Sequence, residues 1–392
     1  MKKFVCVALL LPSLAWAQPE RLGDTVRPLR QRVFLRTNPA QSNYTGSTQI
    51  LLKVEKATTQ FRLHALELRI KKAVLNESIG LKIETQSPTV LLTATRPLQP
   101  GQYRLSLEFA ANYNTHSVGL YKFKDGERPY LSTQFEMAEA RRCFPCFDEP
   151  AFKIPFQMTV AAPSDLRVVS NSPQLKESKK AGWTTHEFAP TPPMPSYLVA
   201  LAVGPFQSVP VAGMRIPGRI LAPQGKIGLA GFSRKNTPAI VKALENYFGI
   251  PYAYAKLDQV AISEFPYGAM ENAGLVTYHE DILLVNGKTA SEDSKTLTLM
   301  VIAHELSHQW FGNLVTMKWW NDLWLNEAFA SWMASKIVNQ LYPELEFFLE
   351  TPQNNVMTQD ANLSSKPIRK PIRSEADVMD GLGLAYNKGE WF

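Results

Sequence analysis

The chain has 392 residues, 45% of them apolar, 10% aromatic and 20% charged, a balance that excludes a disordered or fibrous protein and suits two or three globular domains. Forty-two Lys and Arg against 35 Asp and Glu give a mild excess of +7, scattered rather than clustered, which excludes nucleic acid as the main partner. Three cysteines are too few to staple a chain of this length, so a disulfide scaffold is excluded as well.

Met1, Lys2 and Lys3 precede an apolar run over 4–14, and Ala15-Trp16-Ala17 forms a small-x-small site before Gln18. This is the tripartite pattern of a secretory signal peptide over 1–17. The run is shorter than the roughly 20 residues a bilayer span needs. The expectation is an exported, soluble protein, periplasmic or extracellular, with no membrane span after cleavage. Loss of Lys2 and Lys3 leaves +5, from 7 − 2.

The next stretch reads as β. Strands are expected over 48–55, 102–109 and 156–161, with turn residues such as Asn38-Pro39 and Gln99-Pro100-Gly101 ahead of the first two. Cys143 and Cys146 stand as C-x-x-C around Phe144-Pro145. A disulfide there is open to an exported protein, but buried unpaired thiols in a packed turn are the favoured reading. Zinc would need a second ligand pair, and none is near. After a proline-rich loop over 189–195, the apolar residues 197–203 are expected as a last strand. Beyond Phe206 helices take over, at 237–248, 294–312 and 322–341. The fold class is α+β and multidomain: an N-terminal antiparallel β saddle or sandwich over 18–206, then a helix-rich domain over 207–392.

His304-Glu305-Leu306-Ser307-His308 reads H-E-x-x-H in a chain with six histidines. On a helix, residues four apart project from one face. Two neutral imidazoles so placed can hold one zinc ion, and Glu305 beside them can accept a proton from the water that the metal activates. A site open for catalysis needs a third protein ligand. The histidine of a metzincin would fall at Leu314, so the ligand comes from elsewhere. Glu327 follows His308 by 19 residues, in Trp324-Leu-Asn-Glu-Ala-Phe-Ala-Ser331. Asn321 or Asp322 can cap that helix. A glutamate among apolar neighbours is costly to bury unpaired, and metal ligation removes the cost.

Gly268-Ala-Met-Glu-Asn272 stands ahead of this pair of helices. Together with His-Glu-x-x-His-x18-Glu, Thr133-Gln-Phe-Glu136 and Phe144-Pro-Cys-Phe-Asp-Glu-Pro150, it strongly resembles the aminopeptidase N family of zinc-dependent aminopeptidases, which are gluzincins. The resemblance implies a thermolysin-like catalytic domain, one Zn2+ ion, and peptide substrates with a free N-terminus. It implies Glu271 as the main anchor of the α-amine, completed by Glu136 and Gln134. By its own pattern Glu136 would read as a solvated strand carboxylate. Gly268 and Ala269 lack bulk, so their backbone, with Met270 and Asn272, can lie along a substrate; a tight turn is the plainer alternative. Tyr386, in Tyr386-Asn-Lys-Gly389, resembles the family tyrosine that stabilises the oxyanion.

Two positions depart from the family pattern: Ala328 where glycine is frequent, and His279 where arginine is common. The chain stops three residues past Gly389, where family members continue, so an incomplete catalytic domain is expected, with an uncovered apolar face on its last helix. The leading expectation is a zinc metalloaminopeptidase with Glu305 as general base. The alternative is a catalytically incompetent fragment that binds zinc or peptide N-termini without turnover. A third is a relative that also hydrolyses epoxides, against which the signal peptide speaks.

Overall fold

The strongest local signal in the first half is alternation. In Val26–Arg36, Gln31, Val33 and Leu35 point inward while Arg30, Arg32, Phe34 and Arg36 point outward, the period of a strand with one buried face. The computed structural model describes residues 21–345, 361, 367–372 and 377. The expected signal segment and Tyr386 lie outside the described residues.

Ten strands form one long sheet. Its order is Gln174–Lys180, Trp183–Phe188, Phe156–Pro163, Val26–Arg36, Asn43–Val54, Gly101–Asn112, Arg69–Leu75, Ile79–Gln86, Thr89–Leu98 and Thr58–His64. Pairing is antiparallel except between Val26–Arg36 and Phe156–Pro163, which run parallel. The strands expected over 48–55, 102–109 and 156–161 are present and longer than their apolar cores, because cross-strand partners carry the ladder into polar ends. A four-stranded sheet, Arg167–Ser170, Leu201–Gly204, Arg128–Gln134 and Gly119–Asp125, packs beside it. Only the end of 197–203 is strand. Its start is a 3₁₀ turn, Ser196–Leu198, whose Tyr197 hydroxyl donates to the Gly312 carbonyl at 3.2 Å.

A third, five-stranded sheet runs Gln207–Pro210, Gly218–Ala222, Leu257–Ile262, Leu275–His279 and Ala269–Met270. Its three central strands are parallel, and Ala269–Met270 is an antiparallel edge. Four helices accompany it: α1 (Gly231–Phe248), α2 (Glu280–Leu283), α3 (Glu292–Ser307) and α4 (Leu323–Leu341). Helix α1 begins six residues before the expected start and carries Pro238 inside. Packing overrides the local preference of proline for a helix start. The Ser291 hydroxyl caps α3 by accepting from Ser294 N. This helix ends at Ser307 rather than Gly312, where the chain turns at Gly312 with φ +126°.

At the start of α4, Asp322 makes no capping hydrogen bond; its carboxylate pairs with Arg369 instead. Asn321 caps nothing either and accepts from Ile372 N at 2.7 Å. Ala328 is 2% exposed, where a small residue lets α4 approach its neighbours. Among the described residues no helix is long and apolar enough to cross a membrane.

Candidate metal centre and its carboxylates

Helices α3 and α4 bring His304, His308 and Glu327 together. The two imidazole Nε2 atoms are 2.9 Å apart. Glu327 Oε2 lies 3.4 Å from His304 Nε2 and 3.5 Å from His308 Nε2. Ligands held about 2.0–2.2 Å from a tetrahedral ion lie roughly 3.3–3.5 Å from one another; both edges to Glu327 match, and the 2.9 Å between the imidazoles is shorter, so the rings need only move apart slightly to take one such ion. Glu327 is 3% exposed and its Oε2 is buried without a hydrogen bond, the kind of orphan a cation would satisfy. Both rings are held from behind. His308 Nδ1 lies 3.1 Å from the carbonyl of Phe311 and 3.1 Å from Asn326 Oδ1. Two acceptors there place the proton on Nδ1 and leave the Nε2 lone pair free to ligate. His304 Nδ1 is 3.3 Å from Ser331 Oγ.

Electrostatics sharpen the fit. Burial would raise the Glu327 carboxyl, but the imidazoles of His308 and His304 outweigh it and hold it well below the usual carboxylate range. Burial works against a charged His308, yet Glu271, Glu327 and Glu305 overcome it and raise its pKa. His304 is lowered, by burial and by the charge of His308. Burial pushes Glu305 well above its ordinary value, and Glu271 and Glu327 add to the push. Its Oε2 also lacks a partner. Three buried carboxylates, Glu271, Glu305 and Glu327, thus face two imidazoles, a site short of positive charge.

The remaining carboxylates come from elsewhere in the chain. Glu136 lies two residues past the strand Arg128–Gln134 and joins Glu271 and Glu327, with ligand atoms of the three within 4.8 Å of one another. It is not a solvated strand carboxylate: its Oε1 is buried without a partner. Burial, then the charges of Glu271 and Glu327, raise its pKa. Glu271 is raised chiefly by burial. Gln134 is 3% exposed; its Nε2 meets Met270 Sδ at 3.3 Å and its Oε1 has no partner. Gly268 has φ +83°, and Ala269 and Met270 form the edge strand with one side unpaired. Asn272 turns away, its side-chain amide donating to Thr277 Oγ1 at 3.3 Å. His279 ends up capping α2, with Nδ1 accepting from Asp281 N.

Cys143 and Cys146 are buried free thiols. Burial pushes the Cys143 thiol up to about 12 and raises Cys146 as well, which leaves both unreactive.

Several residues at the site carried no motif. Gln309 and Asn313 follow His308, each 1% exposed, and both side-chain amides donate to the Glu271 carbonyl, at 2.9 and 2.8 Å. Lys256, 6% exposed, donates to the Gly274 carbonyl at 2.7 Å and pairs with Asp258. The one signal for them was polar residues inside apolar surroundings, which need partners once buried.

Two imidazoles and a glutamate presented by adjacent helices, with a glutamate beside the first histidine, define the gluzincin class of metallopeptidase site. Family comparison agrees: residues 232–392 match the peptidase family M1 domain, and residues 27–198 match the peptidase M1 N-terminal domain. The chain belongs to peptidase family M1, the aminopeptidase N family. It is 36% identical over 389 residues to aminopeptidase M1-B of Oryza sativa subsp. japonica, covering 94% of this chain and 44% of that one. It is 36% identical over 391 residues to endoplasmic reticulum aminopeptidase 1 of Homo sapiens, covering 94% and 41%. It is 36% identical over 370 residues to leucyl aminopeptidase of Saccharolobus solfataricus, covering 92% and 46%. The chain therefore spans less than half the length of these relatives.

Proposed function

We propose that the chain holds one zinc ion through His304, His308 and Glu327 and hydrolyses the first peptide bond of peptides with a free N-terminus, with Glu305 as general base. One observation carries the reading. The metal triad and the carboxylate group Glu136–Glu271–Glu327 share Glu327, so a cation site for the metal and an anionic site for an amine adjoin at one residue.

Zinc, when bound, polarises a carbonyl and activates water at neutral pH. Glu305 stands next to the first ligand with a free buried oxygen and holds the proton in transit. Burial raises its pKa, which makes it a stronger proton acceptor than an ordinary carboxylate. Glu136 and Glu271 resist joint ionisation, and an α-ammonium offsets that repulsion through charge-assisted hydrogen bonds. The edge strand Ala269–Met270 offers backbone groups to an extended peptide. Tyr386 is proposed as oxyanion donor on its sequence motif. Export through the segment 1–17 is proposed on the same footing.

The test is release of a chromophore from an aminoacyl substrate, with metal content measured alongside. Activity should vanish on chelation, return with zinc, and fall at least a hundredfold in Glu305→Gln with zinc still bound. Undiminished turnover in Glu305→Gln refutes the mechanism. Stoichiometric zinc with no turnover in the parent chain supports the alternative, binding of zinc or peptide ends alone.

A further inference from the structure

The amide of Asn326 sits between the two halves of the site. It is 4% exposed and precedes Glu327 on α4. Its Oδ1 accepts from His308 Nδ1 at 3.1 Å. Its Nδ2 donates to Glu327 Oε1 and to Glu271 Oε1, each at 3.3 Å. The orientation follows from the neighbours: two carboxylates need a donor, and an imidazole nitrogen that also faces the Phe311 carbonyl needs an acceptor. One side chain therefore touches two metal ligands and the carboxylate assigned to the amine.

The backbone opposite is shaped to admit it. A Cβ at Gly312 would lie 2.1 Å from Asn326 Oδ1 and 3.1 Å from His308 Nδ1. No real Cβ approaches a heavy atom so closely, so any other residue at 312 would expel the amide from the ring. Gly312 is anchored in turn, its N–H donating to the Val315 carbonyl at 2.8 Å and its carbonyl accepting from Tyr197.

We infer that Asn326 is a positioning residue that fixes the metal ligands His308 and Glu327 and the amine anchor Glu271 in one register, and that Gly312 is the vacancy in the backbone that lets it do so. The amine part rests on the aminopeptidase reading; the metal part does not. Loss of the amide removes an outer hydrogen-bond partner from two ligands at once. Such partners typically govern metal affinity by 10–100-fold.

Zinc affinity, measured by competition with a chromophoric chelator, tests the metal part without any turnover. Asn326→Ala should weaken zinc roughly 10–100-fold, and Gly312→Ala should weaken it over the same range. The double variant should be weaker than Asn326→Ala by much less than the effect of Gly312→Ala alone, because the clash with the amide is gone and only the strain of a Cβ at φ +126° remains. Multiplying effects, or an Asn326→Ala affinity within threefold of the parent, would overturn the proposal. Where Gly312→Ala does not fold, Asn326→Asp decides. It keeps an oxygen on His308 Nδ1 but turns an oxygen toward Glu271 and Glu327. Zinc affinity should recover relative to Asn326→Ala, while KM for an aminoacyl substrate stays raised about tenfold or more. An aspartate no better than alanine for zinc, or one with the parent KM, overturns it. If the chain binds zinc but hydrolyses nothing, the aminopeptidase reading fails and the zinc measurements still decide the role of Asn326.

Discussion

Gln309 donates its side-chain amide to the backbone carbonyl of Glu271 at 2.9 Å, from the turn that immediately follows the proposed metal ligand His308. The same amide reaches back to the Glu305 carbonyl at 3.2 Å. The proposed amine anchor is thus tied by its backbone to the segment that carries the proposed base.

Replacing Gln309 by Leu keeps the bulk and removes the donor. The Glu271 carbonyl would retain Asn313, so the loss at that carbonyl should be one hydrogen bond, about 1 kcal/mol, while the contacts of Gln309 to the Glu305 carbonyl and the Tyr252 hydroxyl go as well. KM for an aminoacyl substrate should rise roughly fivefold, with kcat and zinc content little changed. Steady-state kinetics and metal analysis check this; a fall in zinc content with an unchanged KM would contradict it.

His304, His308 and Glu327 were legible in the sequence because metal chemistry needs those residue types at that spacing. Gln309, Asn313 and Asn326 were not. An amide in an apolar run has no spacing signature, and its partners lie dozens of positions away. The anchor of Glu136 beside Glu271 shows the same limit: local pattern suggests solvent, and only the fold brings the chain past Gln134 against the strand Ala269–Met270. Helix α1 shows the reverse error: the amphipathic pattern begins at Thr237, and the helix runs back through Pro238 to Gly231 because tertiary packing extends it.

Metal should stabilise the fold if the triad is preformed. A ligand that binds only the folded state adds about 2.7 kcal/mol at a hundredfold excess over its Kd. Zinc should raise the melting temperature of the chain, and a chelator should reverse the rise. Glu327→Gln keeps the shape but weakens the ligand, so the zinc-dependent shift should largely disappear. Calorimetry with and without zinc measures it, and an equal shift in the variant would place the ion elsewhere.

Asp258 predicts a pH effect away from the metal. Its carboxylate takes Arg219 at 3.0 and 2.6 Å and Lys256 at 3.0 Å. Burial alone would raise its pKa, but Lys256 and Arg219 outweigh burial and hold it below the ordinary 3.8. A lowered acid contributes stability above its unfolded pKa and loses it as pH falls through the folded one. Asp258→Asn should therefore cost stability at pH 7, about 3–5 kcal/mol, because Lys256 is left buried and unpaired. The gap between variant and parent should close as pH drops below 3.8. Urea titrations at several pH values test it; a gap independent of pH would show that packing, not charge, sets the cost.

Two glycines flank the segment that carries Glu271, and the structure ranks them. Gly268 has φ +83°, but a Cβ there would meet only Ile282 Cδ1, at 3.8 Å. Gly268→Ala should cost the left-handed strain alone, about 1–2 kcal/mol. Gly274 has φ +71°, and its Cβ would lie 2.3 Å from the Asn171 carbonyl oxygen and 3.3 Å from that of Lys256. Both are backbone atoms that cannot swing aside. The Asn171 side chain is itself committed, donating to Leu198 O at 2.7 Å and Ala273 O at 2.9 Å and accepting from Ala200 N. Gly274→Ala should add about 1–3 kcal/mol of overpacking to the same strain. It should also shift the Glu271 turn, raising KM at a stability cost above that of Gly268→Ala. Denaturant melts of the two variants, compared with their KM values, give the order, and a Gly268→Ala variant less stable than Gly274→Ala would show that the close approach to Asn171 does not hold the Glu271 segment in place.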